Sequence, residues 1–133
     1  MINREVQQLL DTQTKTVSGL PTVFTENQPS NQKSGTSWAR TTLLPARTSI
    51  ASIGLYGQQL YSGLYQVDVF FPKDRGFLNS SNMADAIIGV FQPSTILAGS
   101  TFNVLIMTSW RLPANTYETF YNIPVQIEWN IYK

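Results

Sequence analysis

Two stretches of strict alternation constrain this chain more than anything else in it. Ile123, Val125, Ile127, Trp129 and Ile131 are apolar at every second position, and Pro124, Gln126, Glu128, Asn130 and Tyr132 fill the gaps. A period of two puts the apolar set on one face of a β-strand, which demands a sheet with one face against a core. Tyr65, Val67, Val69 and Phe71 repeat the pattern within Leu60 to Phe71, a segment rich in aromatic and β-branched residues. Its second face mixes Leu64, Gln66, Asp68 and Phe70, the composition of a half-solvated or partner-facing side.

Something must cover the apolar face, and two helical patterns are available. Ile2, Val6, Leu9, Leu10, Gln13 and Val17 fall at helical spacing and predict an amphipathic helix over the first 16 or so residues, stopped by Gly19 and Pro21. Met83, Ile87, Val90 and Phe91 lie at i, i+4, i+7 and i+8. They predict a second helix over about 81–91, capped by Asn79, Ser80 or Ser81 and closed by Pro93.

The remaining segments read as strands and loops. Pro21 to Phe24 begins a short strand, and Thr25 to Ser37 then runs thirteen residues with no aliphatic or aromatic side chain except one Pro. From Trp38 the chain turns to β. Trp38, Arg40, Thr42 and Leu44 share one face, Ala39, Thr41 and Leu43 the other, with Pro45 ending the strand and Thr48 to Leu55 forming the next. Tyr56 to Gln59 and Pro72 to Gly76 supply turn chemistry, Thr101 to Trp110 is apolar on both faces, and Arg111 to Phe120 is a second long polar loop. Gly54, Gly57, Gly63 and Gly76 have no phosphate-loop spacing and read as turn glycines. The expectation is an α+β fold, a mostly antiparallel sheet with both helices on one face, in a single domain spanning 1–133.

Composition removes most chemistry. There is no Cys and no His, so disulfides, thiol nucleophiles, imidazole bases and Cys/His zinc clusters are excluded. Nine Lys+Arg against eight Asp+Glu leave a net charge of +1, and the basic residues, spread from Arg4 to Lys133, form no cluster suited to gripping phosphates. No apolar run approaches the length of a membrane span. The polar first residues lack a signal peptide's apolar core, so the sequence predicts a protein made in a cytoplasm. No catalytic, cofactor or metal residue is predicted. Asp68 and Glu128 sit on the less apolar faces of strands, where solvated acids are ordinary, and Trp38, Trp110 and Trp129 fall at positions that suit sheet packing. A fold without chemistry but with two long polar loops works through its surfaces.

Specific residues sharpen this. The run Gly63-Leu64-Tyr65-Gln66-Val67-Asp68-Val69-Phe70-Phe71-Pro72, then Gly76, Ala84-Asp85-Ala86-Ile87 and Phe91, resembles the central signature of the phage tail terminator-like family. Trp38-Ala39-Arg40 and the Gly54 region resemble that family's first strands. Ile123-Pro124-Val125-Gln126-Ile127-Glu128-Trp129 resembles its closing strand, so the likeness spans about residues 1–133. The resemblance implies a virion structural protein, assembled in the host cytoplasm, that caps the head-proximal end of a tail tube as a homo-hexameric ring. Such a ring stops tube polymerisation and offers a surface for head-tail joining. The implied partners are further copies of itself, the tail tube protein and the head-tail connector or neck proteins, with genomic double-stranded DNA passing through the lumen without sequence-specific binding. Scaling of size with length gives an equivalent sphere about 36 Å wide, and six in a ring leave a lumen of about the same width.

Contact residues are expected on the loops: Gln32 and Lys33 in the first, Lys73, Asp74 and Arg75 in the turn, and Arg111, Asn115, Tyr117 and Glu118 in the second. Three other readings stay open. They are a neck or head-completion protein that meets the connector, a carbohydrate-binding β module using exposed Trp residues, and a hydrolase using Asp68 and Glu128 as an acid pair.

Overall fold

The computed structural model describes residues 2–17, 19, 22–24, 37–50, 59–72, 78–100, 102–116 and 120–132. Its elements run α1 (Ile2–Thr14), β1 (Thr22–Phe24), β2 (Trp38–Ile50), β3 (Gln59–Pro72), α2 (Leu78–Val90), β4 (Ile96–Ala98), β5 (Asn103–Arg111), β6 (Asn115–Thr116) and β7 (Phe120–Tyr132). The strands form one sheet in the order β1-β2-β3-β7-β5-β4, with β6 also on β7, and only the β1–β2 pair is parallel. This is the α+β, mostly antiparallel architecture that the alternation predicts.

The two most strongly alternating segments lie side by side at its centre. Tyr65 stands opposite Ile127, Val67 opposite Val125 and Val69 opposite Ile123, all buried. Ala39 and Thr41 of β2 and Val104 and Ile106 of β5 extend this apolar surface outward, and Val6, Leu10, Ala84, Ile87 and Phe91 of the helical segments close over it. Full burial of each large aliphatic or aromatic side chain contributes about 1.5–3 kcal/mol.

Polar ties fix how α1 lies on the sheet. The Tyr65 hydroxyl donates to Asp11 Oδ1 at 2.5 Å and sits 3.1 Å from Thr14 Oγ1, inside the core. Burial first, and the Asp11 carboxylate second, drive the Tyr65 phenol far above its ordinary pKa, so it acts as a fixed donor. Gln13 Nε2 donates to the Val90 carbonyl at 2.8 Å, where α2 leaves a carbonyl without a helical partner. At the other end of α1, Glu5 Oε1 accepts from both the backbone N–H and the hydroxyl of Ser100, each at 2.7 Å.

Four expectations need correction. Pro45 does not end a strand: β2 continues to Ile50, because β1 pairs only with Trp38–Arg40 and Pro45 falls in a bulge between Leu44 and Arg47, where no ladder bond is asked of it. Gly63 is not a turn glycine but lies inside β3 opposite Trp129. The second helix begins at Leu78, which puts Asn79, Ser80 and Ser81 in its first turn instead of at its cap. Part of the second polar loop is ordered as β6, paired through Asn115↔Asn122 and Thr116↔Tyr121. Residues 51–55, Gly54, Gly57 and Gly76 lie outside the described residues.

The Gly63 position yields a prediction. A Cβ there would stand 2.7 Å from Trp129 Cζ2 and 3.0 Å from the Leu44 carbonyl oxygen, and the Trp129 ring is fully buried and cannot swing away. Gly63→Ala is expected to lower stability by about 1–3 kcal/mol, as overpacking does. Gly89→Ala, in α2 with nothing within 4 Å of the new atom, should instead raise it by about 0.4–1 kcal/mol. Urea unfolding of the two variants beside the parent checks both signs.

Candidate functional site

The sheet register brings the three predicted contact segments to one place. Trp38, which follows the first long loop, pairs with Phe70 near the end of β3. Pro72, which precedes the charged turn, pairs with Phe120, and Thr116, which precedes the second loop's tip, pairs with Tyr121. The described residues that flank all three segments therefore lie at the same end of the sheet, close to one another in space though far apart in sequence. Gln32, Lys33, Lys73, Asp74, Arg75, Tyr117 and Glu118 themselves lie outside the described residues.

An aromatic cluster underlies that end. The Trp38 and Phe70 rings stack at 3.8 Å with planes 7° apart, and Phe120 meets them edge-on at 5.7 and 6.3 Å. Arg40 places its guanidinium 5.4 Å from the Trp38 ring centre. The sequence pattern puts Trp38 on one face of its strand and Phe70 on the mixed face of another without pairing them, and reads Phe120 as the end of a loop. The signal that joins them is the register, which no single strand's pattern carries.

Of the nine predicted contacts, the two described ones are accessible and lie at this end. Arg111, exposed at the end of β5, approaches Asp85 of α2 at 3.9 Å. An open ion pair of that length contributes little to stability and leaves the guanidinium available. Asn115, also exposed, reaches Asn122 Oδ1 through its Nδ2 at 3.5 Å, and Asn122 Nδ2 donates to the Val69 carbonyl at 3.3 Å. Beside them a cleft of about 360 Å³ opens between the turn after α1 and the start of α2, lined by Ser37, Phe71, Asn79, Asn82 and Met83 among others.

The sheet face away from the helices carries a polar chain. Gln126 Nε2 donates to Gln66 Oε1 at 3.0 Å, and Gln66 Nε2 donates to Asp68 Oδ1 at 2.9 Å. Partial burial pushes the Asp68 carboxyl above its ordinary value, against the opposing effects of its hydrogen bonds to Gln66 and Asn122 and of the nearby Arg40 charge. Glu128 stands opposite Leu64, four residues along β3 from Asp68, which at strand spacing separates the two acids by about 14 Å. That exceeds the reach of either glycosidase geometry, whose carboxyls stand about 5–9.5 Å apart. The glycan reading fares no better. It calls for exposed rings, whereas Trp129 is fully buried, Trp38 is 5 % exposed and Trp110 is half-buried. Among the described residues no group of three or more acids forms a metal-binding cluster, and no helix is long and apolar enough to cross a membrane.

Two helices back this antiparallel sheet, and the described ends of its long polar segments lie together at one end of it. A family model described as phage tail terminator protein matches residues 2–129, and the chain belongs to that family, a structural class of phage tail proteins. The fold recurs in solved structures. One, a chain carrying no functional name, superposes with a TM-score of 0.71 at 20 % identity, covering 98 % of this chain and 92 % of that one. Another, from the virion of a native gene transfer agent particle, gives 0.60 at 15 % identity and covers 98 % and 97 %. No curated protein matches the chain.

The Asp68 environment predicts a pH effect with a definite sign. Its carboxyl is raised in the fold, so the folded chain holds that proton more tightly than the unfolded one. The associated stability is present below the unfolded value and is lost as pH rises through the folded one. Asp68→Asn should therefore gain stability over the parent at pH 7 and lose that advantage near pH 3. Urea midpoints at the two pH values test this, and an equal difference at both would contradict it.

Proposed function

We propose that this chain, acting as a single domain, caps the head-proximal end of a long phage tail tube as a homo-hexameric ring. The observation that carries the reading is the convergence of the three polar segments at one end of the sheet in a member of the tail terminator family. A cap must match the tube's last subunits on one side and offer them no copy of that surface on the other, so it needs asymmetric ends. This fold supplies them. One end gathers the long polar segments and the aromatic cluster, and the opposite end carries the β2–β3 connection and the Glu5–Ser100 tie.

In this reading Gln32, Lys33, Lys73, Asp74, Arg75, Arg111, Asn115, Tyr117 and Glu118 contact the tube or the connector. The head-tail connector or neck proteins join the opposite side, and genomic double-stranded DNA crosses the lumen. The near-neutral charge suits that passage, because a strongly basic lumen would retain the DNA it must release. The cap is built in the host cytoplasm and ends in the virion tail.

The test is the light-scattering mass of the purified protein, alone and mixed with isolated tail tubes, followed by negative-stain images of the mixture. The expected result is rings seated at tube ends with the mass of six copies. A protein that ignores tubes but binds isolated heads would instead make it a neck or head-completion protein. Charge reversal at Asp74 and Arg75, one at a time, should yield overlong or headless tails. Normal tails joined to heads in both variants would remove that turn from the contact surface.

A further inference from the structure

A closed ring of identical subunits needs two different surfaces on each copy, one to meet the neighbour ahead and one to meet the neighbour behind. The described residues offer such a pair on opposite sides of the molecule.

The first is the sheet face that no helix covers. It carries Leu44 opposite Leu64 and Glu128, Leu105 opposite Asn130 and Ile96, and Tyr132 opposite Leu60. Three of the four exposed large apolar side chains lie here, with Leu44 40 %, Tyr132 49 % and Ile96 62 % exposed. The polar half of the face offers acceptors, the carboxylates of Glu128 and of half-buried Asp68, about 14 Å apart at strand spacing. Arg40 shares the face and stands opposite Asp68, with its guanidinium 5.4 Å from the Trp38 ring centre, so Glu128 is the acid on which the charge test is built.

The second is the outward stripe of α1. Val6 and Leu10 turn into the core, which leaves Arg4, Gln8, Thr12 and Lys15 exposed on the side of the molecule away from the sheet. Arg4, Gln8 and Lys15 can donate hydrogen bonds, while the Thr12 hydroxyl donates to the Gln8 carbonyl; the two cations are about 16 Å apart at helical rise, close to the spacing of the two carboxylates. The aliphatic stems of Arg4 and Lys15 can lie along apolar surface such as Leu44 and Leu64 while their charged heads reach the acids.

We propose that the uncovered sheet face of one copy receives the outward α1 stripe of the next copy, head to tail around the ring. This rests on the ring reading above and names the surfaces that close it. Stacking in that sense keeps all the polar segments of the converging end on one side of the ring, because every copy has the same orientation.

The experiment measures ring mass on tail tubes by light scattering after pull-down of tube-bound protein. The variants are Leu64→Asp, Glu128→Lys, Arg4→Glu and Lys15→Glu, with circular dichroism melts to confirm folding. Each folded variant should lose at least tenfold in tube-bound ring. Glu128→Lys combined with one of the two, Arg4→Glu or Lys15→Glu, should restore it, since the reversed charges then meet again at Glu128. If Leu64→Asp fails to fold, the swap pairs carry the test alone. Full-mass rings from the single charge variants would overturn the proposal and place the uncovered face on the wall of the ring. Loss without rescue by either swap would also overturn it, as binding of another protein there would give. Absence of rings from the parent would overturn the ring reading itself and the proposal with it.

Discussion

The pairing of β3 with β7 runs unbroken from Leu60↔Tyr132 to Pro72↔Phe120, and it decides which side chains meet on both faces of the sheet. A slip of β7 by one residue would turn Val125 and Ile127 outward and bring Gln126 and Glu128 under the helices. The apolar face fixes this register because Tyr65, Val69, Ile123, Trp129 and Ile131 are all buried together. Everything else is positioned from it. α2 packs on the strands so joined, α1 is tied to Tyr65, and the polar chain from Gln126 to Asp68 exists because Gln66 and Gln126 face each other across this seam.

The sheet's two faces divide the work. The helix-covered face holds the molecule together, and the Tyr65 and Thr14 hydroxyls find partners within the core. The other face is assembled from side chains that are half-buried and bonded to each other, ending at one side in the Trp38–Phe70–Phe120 cluster. That cluster stiffens the strand ends from which the polar segments emerge.

Alternation made β3 and β7 legible in the sequence, and helical spacing did the same for α1 and α2, because burial on one face leaves a period that local residues cannot hide. Pro45 misled because proline is read as a stop, whereas a strand whose outer edge is mostly unpaired tolerates it in a bulge. Gly63 misled for a related reason. Glycine signals a turn by default, and only the neighbouring strand reveals that the missing side chain makes room for the Trp129 indole. The candidate site was legible as segments but not as a site. Arg111 and Asn115 could be named from composition, yet Asp85 as the partner of one and Asn122 as the partner of the other depend on pairings between elements.

The order of strands has a consequence for how the molecule comes to exist. β7, the last element in sequence, lies between β3 and β5, so until residues 120–132 have left the ribosome the earlier strands have no central neighbour to build upon. α1 is made first yet anchors on Tyr65 and Ser100, far behind it in synthesis. Folding therefore cannot proceed piecemeal from the N-terminus, and long-range strand pairing of this kind is slow compared with helix formation. A chain cut short before residue 120 lacks the strand that sets the register of the sheet, so it cannot bury the apolar face of β3 as the whole chain does.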